Sequence, residues 1–310
     1  MSENLLIILG PTASGKTKLA VALADELNGE IISADSRQVF KDMDIGTGKD
    51  LNEYQLKGKF IPYHLINIKE AGEKYHVNAF KEDFYTAFSV IANSNKLPIL
   101  CGGTGMYIHS ILQNHELTTI PVNDGLRSKI QDFTKQQLQD KLRSYPEKLR
   151  LQADYSSTKR LIRAIEIADY LTYNELAEIS RPAIKPILIG LQSEVETRRE
   201  RIIQRLNERL KSGLIDEVEN LLANGITKEM LLFYGLEYKF IASYLAHEID
   251  FSTLKERLGI AICQFAKRQM TFFRKMEKDG VRIKWLNADE NLDHLKKIAI
   301  DHLQHEIDVK

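Results

Sequence analysis

Eight residues near the amino terminus, Gly10-Pro11-Thr12-Ala13-Ser14-Gly15-Lys16-Thr17, carry the spacing GxxxxGK[ST]. In such a loop the backbone N–H groups and the start of the following helix point at an anion. Lys16 adds a point charge, and the Thr17 hydroxyl can reach a Mg²⁺ ion. Position matters more than the string. The motif follows an apolar run at 5–9 and opens a stretch of helical periodicity at 17–28 that Gly29 stops. It therefore predicts phosphate binding. It does not say whether the phosphate belongs to ATP or to another diphosphate.

A second candidate group ends the next apolar run, 30–36. Asp35 is followed by Ser36, Arg37 and Gln38. Strand ends on one side of a parallel sheet converge, so this carboxylate is expected to face the phosphate loop, where it could take a proton or hold a metal. The plainer alternative is a helix N-cap. Residues 43–49, MDIGTGK, suggest another close backbone approach, though glycine-rich loops are often only turns. Gly102-Gly103-Thr104-Gly105 brings a hydroxyl to a third strand end, with a structural turn equally compatible. His64 reads as a packed or capping histidine.

Basic residues gather on faces. On an ideal helix Arg198, Arg201, Arg205 and Arg209 share an arc of about 80°, next to an apolar arc of Leu206, Leu210 and Leu214. Between 252 and 278, Leu254, Leu258, Ile262, Phe265, Phe272 and Met276 form an apolar face. Opposite lie Gln264, Lys267, Arg268, Thr271, Arg274, Lys275 and Lys278, with five cations and no acid. Lys159, Arg160 and Arg163 add a third cluster. Solvated faces normally mix signs, so these clusters predict a side that meets a polyanion.

The elements that must position these groups are legible from periodicity. Apolar runs at 5–9, 30–36, 97–101 and 185–192, separated by helical stretches, predict a parallel α/β sheet with ligands at the carboxyl strand ends. A short late strand is expected at 281–286. Residues 121–183 lack buried-strand runs and read as a helical insertion between core segments 1–120 and 184–310. The 310 residues balance 43 Lys+Arg against 43 Asp+Glu, with 43% hydrophobic and 28% charged residues, a soluble globular composition. No apolar run approaches the roughly 20 residues of a membrane span, and no signal peptide is recognisable. Cys101 and Cys263 form no metal or disulfide framework. A cytoplasmic location and no obligate protein partner are expected.

The motifs GPTASGKT at 10–17, SADSRQVF at 33–40, MDIGTGK at 43–49, GGTGMYI at 102–108, RLIRAIEI at 160–167 and AKRQMTFFR at 266–274 occur in the order seen in bacterial tRNA dimethylallyltransferases. The chain resembles that family up to about residue 286. A kinase would share only the first motif. The segment Phe233-Tyr234-Gly235-Leu236-Glu237-Tyr238-Lys239 departs from the family's usual Gly-Tyr-Lys/Arg pattern.

The resemblance implies a phosphate-loop parallel sheet with a helical insertion. It implies transfer of a dimethylallyl group from dimethylallyl diphosphate to N6 of the adenosine 3′ of the tRNA anticodon. Asp35 would be the general base, Thr104 would hydrogen-bond near the transferring group, and Lys16 would stabilise charge on the departing diphosphate. Gly10 through Thr17 would hold the diphosphate, Arg201 and Arg205 would be further ligands of the diphosphate or of tRNA phosphate, and Thr17 would hold Mg²⁺. The target base would be flipped into the cleft and read by Asp35, Ser36, Arg37, Gln38 and Thr104. Arg127, Lys159, Arg160, Leu161, Ile162, Arg163, Lys267, Arg268, Gln269 and Arg274 match segments that hold the anticodon stem-loop, with the insertion closing over the RNA. Rival expectations are an adenylate isopentenyltransferase acting on a free nucleotide, a small-molecule kinase with Asp35 activating a hydroxyl, and a non-catalytic RNA-binding module.

Overall fold

The computed structural model describes residues 3–113, 116–151, 153–176 and 179–308. The first strand, β1 (Glu3–Leu9), ends at the phosphate loop, and α1 (Lys16–Glu26) leads to β2 (Gly29–Ser33). A hairpin of β3 (Gln55–Leu56) and β4 (Lys59–Phe60) precedes β5 (Tyr63–His64). Then come α2 (Val77–Asn93), β6 (Leu97–Gly102) and α3 (Gly105–Leu112). The sequence patterns had singled out no element between residues 50 and 97.

After a helical segment, described below, the chain returns as β7 (Ile184–Gln192). It continues through α7 (Val195–Lys211), α8 (Leu214–Ala223), α9 (Lys228–Tyr234), α10 (Leu236–Leu245), α11 (Phe251–Lys278), β8 (Lys284–Asn287) and α12 (Leu292–Asp308). The main sheet runs in the order β5-β2-β6-β1-β7-β8, with every pairing parallel.

Burial on both faces explains the unbroken apolar runs. Leu5, Ile7 and Leu9 point into one core, with Leu100, Leu188, Phe80, Phe84 and the inner face of α11. Leu6 and Ile8 point into the other, with Ile31, Ile99, Leu19, Leu23, Leu295 and Leu303. Among the described residues no helix is long and apolar enough to cross a membrane.

Two expectations about helix faces are corrected. Phe265 is 41% exposed. The inward row of α11 runs instead through Leu254, Leu258, Ile262, Ala266, Met270, Phe273 and Met276. Leu214 does not extend the α7 stripe, because Gly213, at φ 94°, breaks the chain into a new helix.

Residues Asn114–Arg181 form a second compact unit, against the 121–183 expected from periodicity. Its helices are α4 (Asp124–Ile130), α5 (Lys135–Arg143) and α6 (Thr158–Tyr173). Ile130, Leu138, Leu142, Leu161, Ile165 and Ala168 fill its core. Glu166 lies inside, 2% exposed. It accepts two hydrogen bonds from Arg127 (2.8 and 2.9 Å) and one from the Asn123 backbone N–H (2.9 Å). Arg163 pairs with it at 3.4 Å and also donates to the Leu117 and Ile120 carbonyls. Burial alone would raise the Glu166 carboxyl, but these donors outweigh burial and hold it below its ordinary range.

That balance predicts an acid transition. The stabilisation from Glu166 is complete above the unfolded carboxylate range, about 4.3, and is lost as pH falls through the lower folded value. Thermal melts between pH 6 and 3 should show it, with a shallower fall for Glu166→Gln. At neutral pH, Arg127→Ala should cost about 2–3 kcal/mol. That is less than for a fully buried pair, because 43% of the Arg127 side chain is exposed.

Candidate functional site

The carboxyl ends of β1, β2 and β6 meet around a cavity of about 1260 Å³. The phosphate loop forms its floor. Ala13 (φ 60°) and Gly15 (φ 77°) adopt left-handed backbone, folding successive N–H groups toward one point, and α1 begins at the next residue. A β-carbon at Gly15 would meet no atom within 4 Å, so its φ is the constraint. Gln269, on α11, holds the loop from above. Its Oε1 accepts from the Thr12 N–H and its Nε2 donates to the Gly103 carbonyl, both at 2.9 Å. Lys16 donates to the Pro11 carbonyl at 3.4 Å. Burial pulls its ammonium below the ordinary range, with Cys101 and Asp35 acting in the opposite sense. The Cys101 thiol is pushed up to about 12 by burial, which leaves it a poor nucleophile.

Asp35 lies two residues beyond β2, half-buried on the cavity wall. The Ala34 N–H donates to the Cys101 carbonyl (2.8 Å), and the Thr104 N–H donates to the Ala34 carbonyl (3.1 Å). These bonds stitch the ends of β2 and β6 together and bring Asp35 and Thr104 to the same wall. Thr104 Oγ1 accepts from the Ser36 N–H at 3.1 Å, and Asp35 Oδ1 accepts from the Arg37 N–H at 2.9 Å. Residues 36–39 form a turn and not a helix, which removes the N-cap alternative for Asp35. Gln38 is fixed at both ends of its amide, accepting from Ser33 Oγ (2.9 Å) and donating to the Gly48 carbonyl (3.1 Å).

Residues 44–48 also line the cavity, and one carboxylate holds 44–46. Glu217, on α8, accepts from the N–H groups of Asp44, Ile45 and Gly46 (2.7, 2.7 and 2.9 Å) and from the Tyr238 hydroxyl (2.8 Å). Beneath the loop, Lys49 is 1% exposed and donates to the Phe40 carbonyl, Asp44 and Asn67. Gly48, at φ 65°, leaves the room that Arg205 and Arg209 occupy. Both arginines pair with Asp50, Arg209 at 3.6 Å. Burial alone would raise Asp50, but the two guanidinium groups hold it below the usual carboxylate range. Glu237, also on this wall, is pushed up by burial.

The structure thus brings Gly15, Lys16, Thr17, Asp35, Ser36, Arg37, Gln38, Thr104, Arg201 and Arg205 to one cavity. Arg201 reaches Asp289 at 3.0 Å. Lys267, Arg268 and Arg274 lie on the exposed side of α11.

Two residues expected to face RNA point inward. Gln269 is 8% exposed and braces the phosphate loop, and Leu161 is buried in the helical core because its α6 position faces α5. Ile162 packs partly against that same core. Lys159 and Arg160 are exposed on α6, Arg160 pairing with Asp154 at 2.7 Å. His64 bonds to Glu30 at 2.7 Å on the outer strand.

Sequence reading did not single out Asp50, Glu217 or Glu237. Arg209 was placed on the basic arc but not assigned to the anion site. Its spacing from Arg205, one helical turn on, was the available signal.

A phosphate loop at the end of a central parallel strand, walled by a carboxylate and a hydroxyl from neighbouring strand ends, defines an α/β phosphate-loop protein built to act on a phosphorylated group. Within that class the chain belongs to the IPP transferase family, which matches residues 38–276. The isopentenyl transferase family matches residues 3–61. It is 50% identical over 296 residues to tRNA dimethylallyltransferase 1 of Azobacteroides pseudotrichonymphae, covering 95% of this chain and 96% of that one. To the protein of the same name from Parabacteroides distasonis it is 48% identical, with 93% of each chain covered. The crystal structure of a tRNA isopentenylpyrophosphate transferase from Bacillus halodurans aligns with TM-score 0.71 at 30% identity over 98% of both chains. A eukaryotic dimethylallyltransferase acting on tRNA shares the fold, with TM-score 0.78 at 21% identity.

The brace from α11 yields a direct test. Replacing Gln269 with Ala removes two hydrogen bonds of about 1 kcal/mol each. Calorimetric titration with inorganic pyrophosphate should then show affinity reduced by roughly tenfold. An unchanged affinity would mean that the loop keeps its shape unaided.

Proposed function

We propose that this protein transfers a dimethylallyl group from dimethylallyl diphosphate to N6 of the adenosine 3′-adjacent to the anticodon of tRNA, releasing diphosphate. The observation that carries the reading is the Asp35 carboxylate and Thr104 hydroxyl standing on the wall of the cavity whose floor is the phosphate loop. An exocyclic adenine amine is a weak nucleophile because its lone pair is delocalised into the ring. It gains reactivity when a carboxylate accepts its proton as the N–C bond forms. The N6 lone pair attacks the allylic carbon, the C–O bond to diphosphate breaks, and the N6 proton passes to Asp35. Charge then grows on the departing diphosphate, where loop N–H groups, Lys16, Arg201 and Arg205 stabilise it.

The fixed amide of Gln38 supports adenine as the target. Its two pinning bonds leave one acceptor lone pair and one N–H, the complement of an adenine edge. Ser36, Arg37 and Thr104 frame the same position.

A magnesium ion suits the site. Thr17 opens α1 on the cavity wall, and Ser14 Oγ is buried there without a partner among the described residues. No group of three or more His, Cys, Asp or Glu among those residues could cage a metal. Thr17 would therefore hold Mg²⁺ together with diphosphate oxygens and water. When bound, the ion neutralises charge on the leaving group. We assign the reaction to the cytoplasm.

The exposed cations Lys267, Arg268 and Arg274 favour tRNA over a free nucleotide, which needs no such face. Within the helical unit Lys159 and Arg160 are exposed, while Arg127 and Arg163 are engaged by Glu166.

Mass spectrometry of tRNA nucleosides after incubation with dimethylallyl diphosphate should find the prenylated adenosine. Incubation with ATP should give no phosphorylated product. Asp35→Ala should lose roughly 10²–10⁴ in turnover while RNA binding persists; unchanged turnover removes Asp35 from the role of base. Lys267→Ala and Arg268→Ala should each weaken tRNA binding and flatten its dependence on log salt by about one unit. A slope equal to wild type would take that face away from phosphate.

A further inference from the structure

Two aromatic rings at the cavity are open to solvent: Phe233 is 51% exposed and Phe265 is 41% exposed. Each lies beside a guanidinium. The Arg37 guanidinium carbon is 4.9 Å from the Phe233 ring centroid, and that of Arg268 is 5.9 Å from Phe265. A half-exposed phenylalanine on a surface is ordinary, but Phe233 differs in what surrounds it. It comes one residue before the end of α9, and the next residue, Tyr234, is buried. The Tyr234 hydroxyl donates to the Glu73 carbonyl at 3.2 Å and accepts from the Gly72 N–H. The backbone beneath Phe233 is thus anchored. The arginine stacked on its ring springs from the turn that carries the proposed base, with the Arg37 N–H bonded to Asp35 Oδ1.

An exposed, anchored ring backed by a cation is suited to receive another flat π-system. A prenyl chain is a poor fit, because it needs a dry pocket and Phe233 offers half its surface to water beside a charge. The proposed function already assigns the target base to Asp35 and Thr104. We propose that Phe233, with Arg37 behind it, is a stacking platform for the nucleobase next to the extruded adenosine. This rests on the RNA-alkylating reading given above.

The test uses anticodon stem-loops carrying 2-aminopurine immediately 5′ or 3′ of the target adenosine. Binding of the wild-type protein should quench one of the two probes through stacking. Phe233→Ala should abolish that quenching and weaken RNA binding by roughly tenfold, equally at low and high salt, because no phosphate contact is lost. Phe233→Trp should restore both, while Phe233→Leu, apolar but not aromatic, should restore neither. The KM for dimethylallyl diphosphate should stay within twofold of wild type.

The proposal is overturned if Phe233→Leu binds and quenches like wild type, or if neither probe is quenched when RNA binds. A rise in the donor's KM in place of the RNA effect would also overturn it and make Phe233 part of the prenyl pocket. The quenching titration needs no turnover. Binding with quenching but no transfer would therefore reject the reaction and keep the platform, whereas no RNA binding at all would reject both.

Discussion

The site depends on a backbone constraint: three parallel strand ends must finish at one rim with their exit directions fixed. Two hydrogen bonds, from Ala34 to Cys101 and from Thr104 to Ala34, do this for β2 and β6. Pairing of β1 with β6 through Leu9 and Gly102 then sets the start of the phosphate loop against the same rim. Because main-chain groups impose this convergence, the chemical side chains need only emerge from the correct residue to share the cavity. α11 adds a long-range brace to the loop, through Gln269, so a helix from the far end of the chain helps shape a loop written in its first twenty residues.

Carboxylates accompany cations of the cavity. Arg205 and Arg209 lie against Asp50, Arg201 against Asp289, and Lys16 is within the field of Asp35. Isolated cations at such depth would be costly to desolvate, and the carboxylates limit that cost. On the proposed reading, an incoming diphosphate would exchange for carboxylate partners and would not meet bare charge. Glu217 plays a different part. It spends all its acceptor capacity on the 44–46 backbone and on Tyr238, and so fixes a loop that has no regular structure of its own.

What could be read beforehand followed how local the signal was. The phosphate loop, the strands at 5–9, 97–101 and 185–192 and the long helices announced themselves because burial on two faces, or on one helical stripe, leaves an unmistakable pattern. Asp35 and Thr104 were legible because each follows such a strand by a residue or two. Gln269 lies among cations on a basic helix, and only the rotation of α11 against the sheet decides that its amide turns inward. Leu161 stands within a run of basic residues, and only the packing of its helix shows it to be an apolar core position. Asp50 and Glu217 carry no local signature. Their partners are 155 and up to 173 residues away in the chain, and charge alone does not name a partner at that distance.

The strand order also bears on how the chain is made. β1 sits in the middle of the sheet, yet it finds its partners only at Leu97 and again at Ile184. At translation rates of roughly 5–20 residues per second, the first apolar strand leaves the ribosome and waits on the order of ten seconds for its earlier neighbour, and longer for the later one. Throughout that interval Leu5 to Leu9 is an unpaired, greasy segment of the kind chaperones bind. The central place of this strand leaves its apolar residues without sheet partners until both neighbours have been made.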